Sequence, residues 1–383
     1  MIFRFNCFII SKLMISDLIC RERIRIFMIK SGIFRPVILA ACAIMVLLSA
    51  CGNTTVVDSD VSTDASATKA TSTTGTTKPP MDTNPLTGIA DIKPGEGTRP
   101  VAIMIGNNDK SRPQLGIEKA DAYFEAETEG GITRIMAVFS GASRIPDKLG
   151  PIRSARTPFI KIAESIGAIY CHAGGSSTGL DLLKTADVNS INALNGSSSS
   201  AFWRDATLRN TKGQEYSLLT SGSKLSAKIN SLKLSASPTK PSPFNFNNSV
   251  KGSGLGQKVQ IHMSGAQTVS FTYDSETGLY LKSNGTLEKG VPHKSESGVT
   301  LSAANVIIMY DEKYSENERT IGFRLISGTG VLVSGGTSRQ IRWNRTKDRL
   351  QFTEADGTTL NLATGRCYVC LTDKNNSSKT VLS

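Results

Sequence analysis

The pattern of apolar and polar residues divides the chain into two regions that predict different structures. Residues 84–240 mix apolar runs with amphipathic stretches, whereas residues 241–383 consist mostly of short apolar runs between turn-forming residues. The first region predicts a mixed α+β or α/β domain, and the second predicts a β-rich antiparallel domain. A stretch rich in proline, serine, asparagine and glycine at 235–256 predicts the connection between them.

The N-terminal region combines both kinds of periodicity. In the amphipathic stretch 157–166, Ile160, Ala163 and Ile166 lie on one predicted helix face, opposite Lys161 and Glu164. The apolar runs predict strands at 101–105, 121–129, 132–140 and 168–171, and the amphipathic runs predict helices at 157–166, 179–186 and 221–232.

The C-terminal region predicts strands almost throughout. They are expected at 259–264, 269–273, 279–282, 306–310, 321–326, 331–334, 339–343, 350–353, 359–362 and 367–371. The glycine-containing separators favour hairpins, so we predict a meander that forms a sandwich or a partial barrel. Cys367 and Cys370 have CxxC spacing, but on a strand they point to opposite faces. We therefore predict two buried thiols rather than a redox or zinc site.

The first 50 residues read as an export signal whose translation start is predicted at Met28. Lys30 and Arg35 precede an uncharged apolar run at 37–50, and Leu48 to Gly52 resembles a bacterial lipobox. This pattern predicts lipidation of Cys51, a flexible tether over 51–83, and a protein anchored to the cell membrane on its extracytoplasmic side. The alternative is a single N-terminal membrane helix with a chance cysteine.

The net charge is +12, but the predicted export signal contributes seven basic and two acidic residues to it. The rest of the chain has 37 basic and 30 acidic residues. This mild excess is compatible with an anionic ligand or surface. It is not the dense basic face typical of nucleic-acid binders.

The candidate site is centred on residues 150–177. Arg153 and Arg156 are spaced to share one side of a helix start, where they and Ser154 could bind a phosphate or carboxylate. The alternative is a structural ion network of these arginines with Glu125, Glu127 or Glu129, and Arg134 is a further cation for either arrangement.

Other candidates lie on both sides of this segment. His172 ends a predicted strand before Gly174 and Gly175, where a ligand-binding role competes with a structural one. Glu125 and Glu129 are candidate acid/base carboxylates. Arg204 lies in a Phe-Trp-Arg-Asp motif that could form a pocket wall or anchor a loop. Asn107, Arg112 and Gln114 are candidates for the same cleft.

Several motifs together resemble the DUF3048 family of bacterial lipoproteins, the YerB-like proteins. The resemblance rests on NPLTG at 84–88, RPVAIMIGN at 99–107, RPQLGIEKADAYFE at 112–125, EGGITRIMAVF at 129–139, GPIRSAR at 150–156, HAGGS at 172–176 and AFWRD at 201–205, with looser matches at 291–293, 303–309 and 341–345. It implies an anchored, two-domain envelope protein and assigns no reaction.

The leading hypothesis is a non-catalytic envelope protein that binds an anionic cell-wall polymer or an envelope protein partner. No phosphate-binding loop, metal-ligand pattern or nucleophile motif points to a cofactor or metal. One alternative is a hydrolase or transferase with His172 and Glu125 or Glu129 as acid and base, and Arg153 and Arg156 as an anion clamp. Another is a scaffold that acts through the β-rich domain.

Overall fold

The apolar runs form strands in the computed structural model of the protein, which describes residues 80–247 and 252–383. The predictions of an export signal, a start at Met28 and lipidation of Cys51 lie outside the described residues, as does nearly all of the tether. The described residues belong to one compact unit. In these two ranges, no helix is both long enough and apolar enough to span a membrane.

The strands, in chain order, are β1 (Asp82–Thr83), β2 (Ala90–Ile92), β3 (Pro100–Gly106), β4 (Ala122–Glu127), β5 (Thr133–Ser140), β6 (Ile169–His172), β7 (Asn189–Asn192), β8 (Phe202–Arg204), β9 (Leu218–Thr220), β10 (Asn245–Phe246), β11 (Gly254–Leu255), β12 (Lys258–His262), β13 (Thr268–Asp274), β14 (Leu279–Asn284), β15 (Val291–Pro292), β16 (Ser302–Ala303), β17 (Asn305–Asp311), β18 (Lys313–Ser315), β19 (Ile321–Phe323), β20 (Ser327–Ser334), β21 (Thr337–Arg345), β22 (Leu350–Glu354), β23 (Asn361–Leu362), β24 (Cys367–Asp373) and β25 (Val381–Leu382). The α-helices are α1 (Thr157–Ser165), α2 (Ser177–Leu182), α3 (Ala206–Lys212) and α4 (Gly222–Ser231). Short 3₁₀ turns occur at Asp109–Ser111, Ile117–Lys119, Glu129–Gly131, Ala142–Arg144, Gly196–Ala201, Gln214–Tyr216 and Lys374–Lys379.

An eleven-stranded sheet joins both regions of the chain. Its order is β11-β21-β20-β17-β24-β4-β5-β3-β6-β7, with β22 paired to β21. Strand β24, near the end of the chain, pairs in parallel with β17 on one side and with β4 on the other. Its side chains are buried on both faces apart from the last residue, as expected for a central strand.

Each face of this sheet is covered by a separate core. On one face a six-stranded sheet, β15-β14-β13-β12-β25 with β16, packs against residues such as Tyr123 and Cys370. On the other face α1 packs through Phe159 and Ile160 onto residues that include Cys367. We call these the β-covered face and the α1-covered face.

The predicted fold class is confirmed: a mixed N-terminal region precedes a β-rich C-terminal region. The face of α1 is also as predicted, since Ile160 and Ala163 are buried while Lys161 and Glu164 are partly exposed. The CxxC prediction is confirmed as well, because Cys367 and Cys370 are buried free thiols in opposite cores. Burial raises the pKa of both thiols.

Two predicted details are wrong, and two elements were missed. The last long strand, β24, is parallel to its neighbours rather than part of an antiparallel meander. The strand predicted at 321–326 ends at Phe323, and Leu325 has a φ of 50°, a left-handed conformation that interrupts a strand. Helix α3 and strand β7 were not predicted, because their polar sequences lack an apolar period. The boundary predicted at 240/241 remains a prediction, and strands from both sides of it share the large sheet.

Candidate functional site

Helix α1 begins after both candidate arginines. Arg156 is its N-cap residue, with an extended backbone (φ −138°, ψ 148°), and Arg153 lies in the irregular segment before it. The helical i, i+3 spacing therefore does not place the two guanidinium groups side by side. Arg153 and Ala155 instead form backbone hydrogen bonds with the loop after β6, at Ala173 and Gly174.

Glu129 brings Arg134 and Arg156 together. Arg134 Nη2 donates to Glu129 Oε1 at 2.6 Å, and Arg156 donates from Nε to Oε2 at 2.6 Å and from Nη2 to Oε1. Their remaining contacts are to backbone: Arg134 Nη1 donates to the carbonyl of Ser154 at 2.8 Å, and Arg156 Nη1 to that of Ala155 at 2.7 Å. Two guanidinium groups thus share one carboxylate.

The electrostatics of this cluster follow from its burial. Burial alone would raise the pKa of Glu129, but the hydrogen bond from Arg156 and the charge of Arg134 lower it below its usual value. Burial and the neighbouring charge of Arg156 lower the pKa of Arg134 to about 10. The guanidinium groups therefore repel each other where little water screens them.

Arg153 has a different partner. Its guanidinium group donates to Glu215 Oε2 at 3.1 and 3.2 Å and lies 5.1 Å from the ring centroid of Tyr216. The side chain of Glu215 is 68% exposed, so this pair lies at the surface. The predicted network of Arg153 with the glutamates of β4 is not formed. Glu215 and Tyr216 were missed because they follow α3, which the sequence pattern did not reveal.

His172 is fully buried beneath the glycine turn. Its Nδ1 lies 2.6 Å from the carbonyl oxygen of Gly174 and its Nε2 lies 2.8 Å from Ser190 Oγ. Because a carbonyl only accepts, Nδ1 carries the proton, and in the neutral ring Nε2 accepts from the Ser190 hydroxyl. Burial lowers the pKa of His172, although the hydrogen bond to Gly174 opposes this. Both ring nitrogens are engaged within the protein.

The glycine pair shapes this turn. Gly174 has a φ of 63°, and its N–H donates to Asn192 Oδ1 at 2.8 Å. Gly175 forms a bridge with Ala155, which fixes the loop against the segment that carries the arginines. The two glycines therefore position the loop, as their sequence context suggested.

Glu125 lies on the opposite face of the sheet from His172. Its oxygens accept hydrogen bonds from Asn107 at 2.9 Å, Thr133 at 2.6 Å and Tyr368 at 2.5 Å, on the β-covered face. His172 lies on the α1-covered face, where its ring stacks on Tyr170 at 5.2 Å. The structure therefore does not bring together the predicted acid/base pair of His172 and Glu125.

Glu125 instead belongs to a buried polar network that joins the two regions of the chain. Lys282 Nζ lies 3.4 Å from Glu125 Oε2 and donates to Asn284 Oδ1 at 2.9 Å and to His293 Nδ1 at 3.0 Å. His293 Nε2 then donates to Gln114 Oε1 at 2.9 Å. Lys282 and His293 are at most 1% exposed.

Burial shifts the pKa values of both basic groups in this network. It lowers the pKa of Lys282, although the charge of Glu125 opposes the shift. Burial, together with the charges of Lys282 and Arg112, lowers the pKa of His293 well below its usual value. Of the three further candidates, Asn107 and Gln114 join this network rather than the arginines, and Arg112 pairs with Asp109.

A further carboxylate reaches the α1-covered side from the C-terminal region. Glu316 lies in the hairpin formed by β18 and β19, and Thr178 Oγ1 donates to its Oε2 at 2.6 Å while Thr157 Oγ1 donates to its Oε1. These hydroxyls belong to α2 and α1. The contact spans more than a hundred residues of sequence, so no local pattern could have predicted it.

Replacing Glu316 with glutamine should lower the free energy of unfolding by about 1 kcal/mol, because the charged acceptor of two hydroxyl hydrogen bonds is lost at a partly exposed site. Urea unfolding at neutral pH measures this change. Glu318→Gln is the matched control, since Glu318 is an exposed residue of the same hairpin. Equal effects of the two substitutions would show that the contact contributes nothing.

The Phe-Trp-Arg-Asp motif has separate structural roles. Phe202 is buried in the core, and Asp205 accepts the N–H of Leu208 as the N-cap of α3. Arg204 donates to the carbonyl of Gln214 and therefore does not join the other arginines. In the described part of the chain, no group of three or more His, Cys, Asp and Glu side chains is arranged to hold a metal ion.

The arrangement matches proteins already known by sequence and structure. Residues 86–235 match the family described as "Protein of unknown function (DUF3048) N-terminal domain", and residues 259–369 match the corresponding C-terminal domain. The protein named "Putative lipoprotein YerB" from Bacillus subtilis (strain 168) is 27% identical over 296 residues, which cover 74% of this chain and 84% of that protein. The crystal structure of YerB protein from Bacillus subtilis superposes with a TM-score of 0.67 at 25% identity, covering 79% of this chain and 99% of that one. With both domains matched in order on a shared fold, the chain belongs to the DUF3048 family.

Proposed function

We propose that the protein is anchored to the cell membrane through a lipid on Cys51, faces the extracytoplasmic side, and binds an anionic ligand of the envelope. The name of the Bacillus relative supports the lipid anchor, as does the lipobox-like sequence before Cys51. The ligand site is the arginine corner, which we define as Glu129, Arg134, Arg153, Ser154 and Arg156. No catalytic step is part of this proposal.

The sharing of Glu129 by two arginines carries the proposal. Arg134 and Arg156 both bind this carboxylate, and their side chains are only 4% and 10% exposed. One positive charge is therefore left without a carboxylate partner inside the cluster, in surroundings that screen it poorly. A ligand carboxylate or phosphate would compensate that charge.

The edge of the corner offers a route for the ligand. Arg153 and Ser154 are partly exposed, and Glu215, which pairs with Arg153, is mostly exposed. An exposed ion pair contributes little to stability, so an anionic ligand can replace Glu215 at small cost. The fork of the guanidinium group would then bind two oxygens of the ligand at once.

Thermal unfolding with added ligands tests this function. The probes are inorganic phosphate, glycerol phosphate, poly-glutamate and muramyl peptides. A probe present at about one hundred times its dissociation constant should stabilise the protein by roughly 2.7 kcal/mol. We expect Arg153→Gln and Arg156→Gln to abolish this stabilisation.

Arg209→Gln is the control, because Arg209 is an exposed arginine of α3 outside the corner. This variant should retain the response to the ligand. The proposal is wrong if no probe raises the unfolding temperature, or if the response survives in both corner variants.

A further inference from the structure

A second polar surface, distinct from the arginine corner, runs along helix α4. Leu225 and Ile229 anchor this helix in the core, so its opposite side faces outward. That side and the neighbouring serine-rich 3₁₀ turn line an open groove of about 340 Å³. We call it the lysine–serine groove, and its lining residues are Ser200, Ser223, Lys224, Ala227, Lys228 and Ser231.

The groove has amines and hydroxyls but no carboxylate in its lining. Lys224 Nζ donates to the carbonyl of Ser200 at 3.4 Å, and Lys228 Nζ donates to that of Ser197 at 2.6 Å. Neither lysine forms an ion pair with a carboxylate of the described residues. Each ammonium group has three donors, so charge and hydrogen-bonding capacity remain for a ligand.

The surrounding sequence is also basic. Residues 196–233 contain six basic and two acidic residues, a surplus of four positive charges. Both acidic residues are engaged away from the groove: Asp205 caps α3, and Glu215 pairs with Arg153. The positive potential of the groove is therefore not cancelled by acidic neighbours on this segment.

An aromatic ring lies beside the groove. The indole of Trp203 is partly exposed, and Lys224 Nζ lies 5.8 Å from its ring centroid. A flat indole offers an apolar face against which a sugar ring can pack, while hydroxyls and amines bind its polar edge. A site that binds only an ion gains nothing from an apolar indole face, so the ring favours a ligand that contains a sugar.

We propose that the lysine–serine groove binds an anionic polysaccharide, with Lys224 and Lys228 contacting its acid groups and Trp203 packing on a sugar ring. The arginine corner would take a single acid group, whereas this open groove suits a repeating chain. The two sites share no residue, so either proposal can fail without the other.

Binding of three polymers to the protein tests the proposal. Polygalacturonate carries both sugar and acid, polyphosphate carries acid alone, and neutral dextran carries sugar alone. We expect polygalacturonate to bind, polyphosphate to bind more weakly at equal charge, and dextran not to bind. Lys224→Gln/Lys228→Gln should weaken polygalacturonate binding at least about tenfold, since two charge-assisted contacts are lost.

Matched variants separate this site from general electrostatic attraction. Lys110→Gln/Lys289→Gln removes the same charge from exposed positions outside the groove and should change affinity less than about twofold. Trp203→Leu should reduce polygalacturonate binding to the level of polyphosphate. The proposal is overturned if both double variants lose affinity equally, if dextran binds as well as polygalacturonate, or if Trp203→Leu has no effect. Circular dichroism of each variant establishes that it is folded.

Discussion

Replacing Lys282 with methionine should lower the free energy of unfolding by about 3–5 kcal/mol, the cost of removing one partner of a buried ion pair. Lys282 and Glu125 are both 0% exposed, so water cannot compensate the remaining carboxylate. The substitution also leaves His293 Nδ1 without its donor. Urea unfolding followed by circular dichroism measures the change.

Two further variants show whether the charge pair is the cause. Lys289→Met makes the same chemical change at an exposed position and should alter stability by less than about 0.5 kcal/mol. Glu125→Gln combined with Lys282→Met removes both charges and should be less destabilised than the sum of the single variants. Additive effects would mean that the pair is not energetically coupled.

The position of this pair explains why a large effect is expected. Glu125 belongs to β4 in the N-terminal region, and Lys282 belongs to β14 in the C-terminal region, in the smaller sheet. Tyr368 of β24 donates to Glu125 from a third element. The network therefore lies where β24 pairs with β4 in the large sheet, and losing it weakens the contact between the N-terminal and C-terminal regions.

The sequence was sufficient to predict those features of the structure that depend on local periodicity. The face of α1 follows from the 3.6-residue spacing of Ile160 and Ala163, and the opposite orientation of Cys367 and Cys370 follows from the alternation of a strand. Such patterns depend only on neighbouring residues. These predictions therefore do not depend on the tertiary contacts made by the rest of the chain.

The sequence was insufficient to predict contacts between segments that are distant along the chain. Lys282 is a lysine in an otherwise ordinary strand, and only the fold shows that its ammonium group is buried beside Glu125. Glu316 and Glu215 likewise acquire partners through tertiary packing alone. The parallel pairing of β24 was missed because an apolar run reveals burial but not the direction of its neighbours. The convergence of Arg134 and Arg156 on Glu129 was one of two predicted arrangements, and charge pattern alone could not decide between them.

Acidification from pH 6.5 to 5 should destabilise the protein, and His293 should contribute to this loss, by at most about 2 kcal/mol for a single group over 1.5 pH units. An unfolded histidine has a pKa near 6.5, and burial beside Lys282 and Arg112 lowers the pKa of folded His293 well below that. Between these two values the unfolded chain binds a proton that the folded chain excludes. The stability present above pH 6.5 is therefore lost as pH falls. His172, whose pKa is also lowered by burial, adds to the same slope.

Urea unfolding at pH 7, 6 and 5 measures how stability depends on pH. Substitutions of single histidines show which residue causes the dependence. His293→Gln retains an acceptor for Lys282 and a donor for Gln114, so it should fold and show a shallower pH slope. His262→Gln should change the slope less, because His262 is partly exposed. Burial and the charge of Lys379 lower its pKa, but solvent screens these effects and the charge of Glu127 opposes them. The lowered pKa of Glu129 also makes stability fall with acid, but only near and below the usual carboxylate pKa of about 4.3. A slope between pH 6.5 and 5 that is unchanged in His293→Gln would therefore contradict the assignment to the buried network.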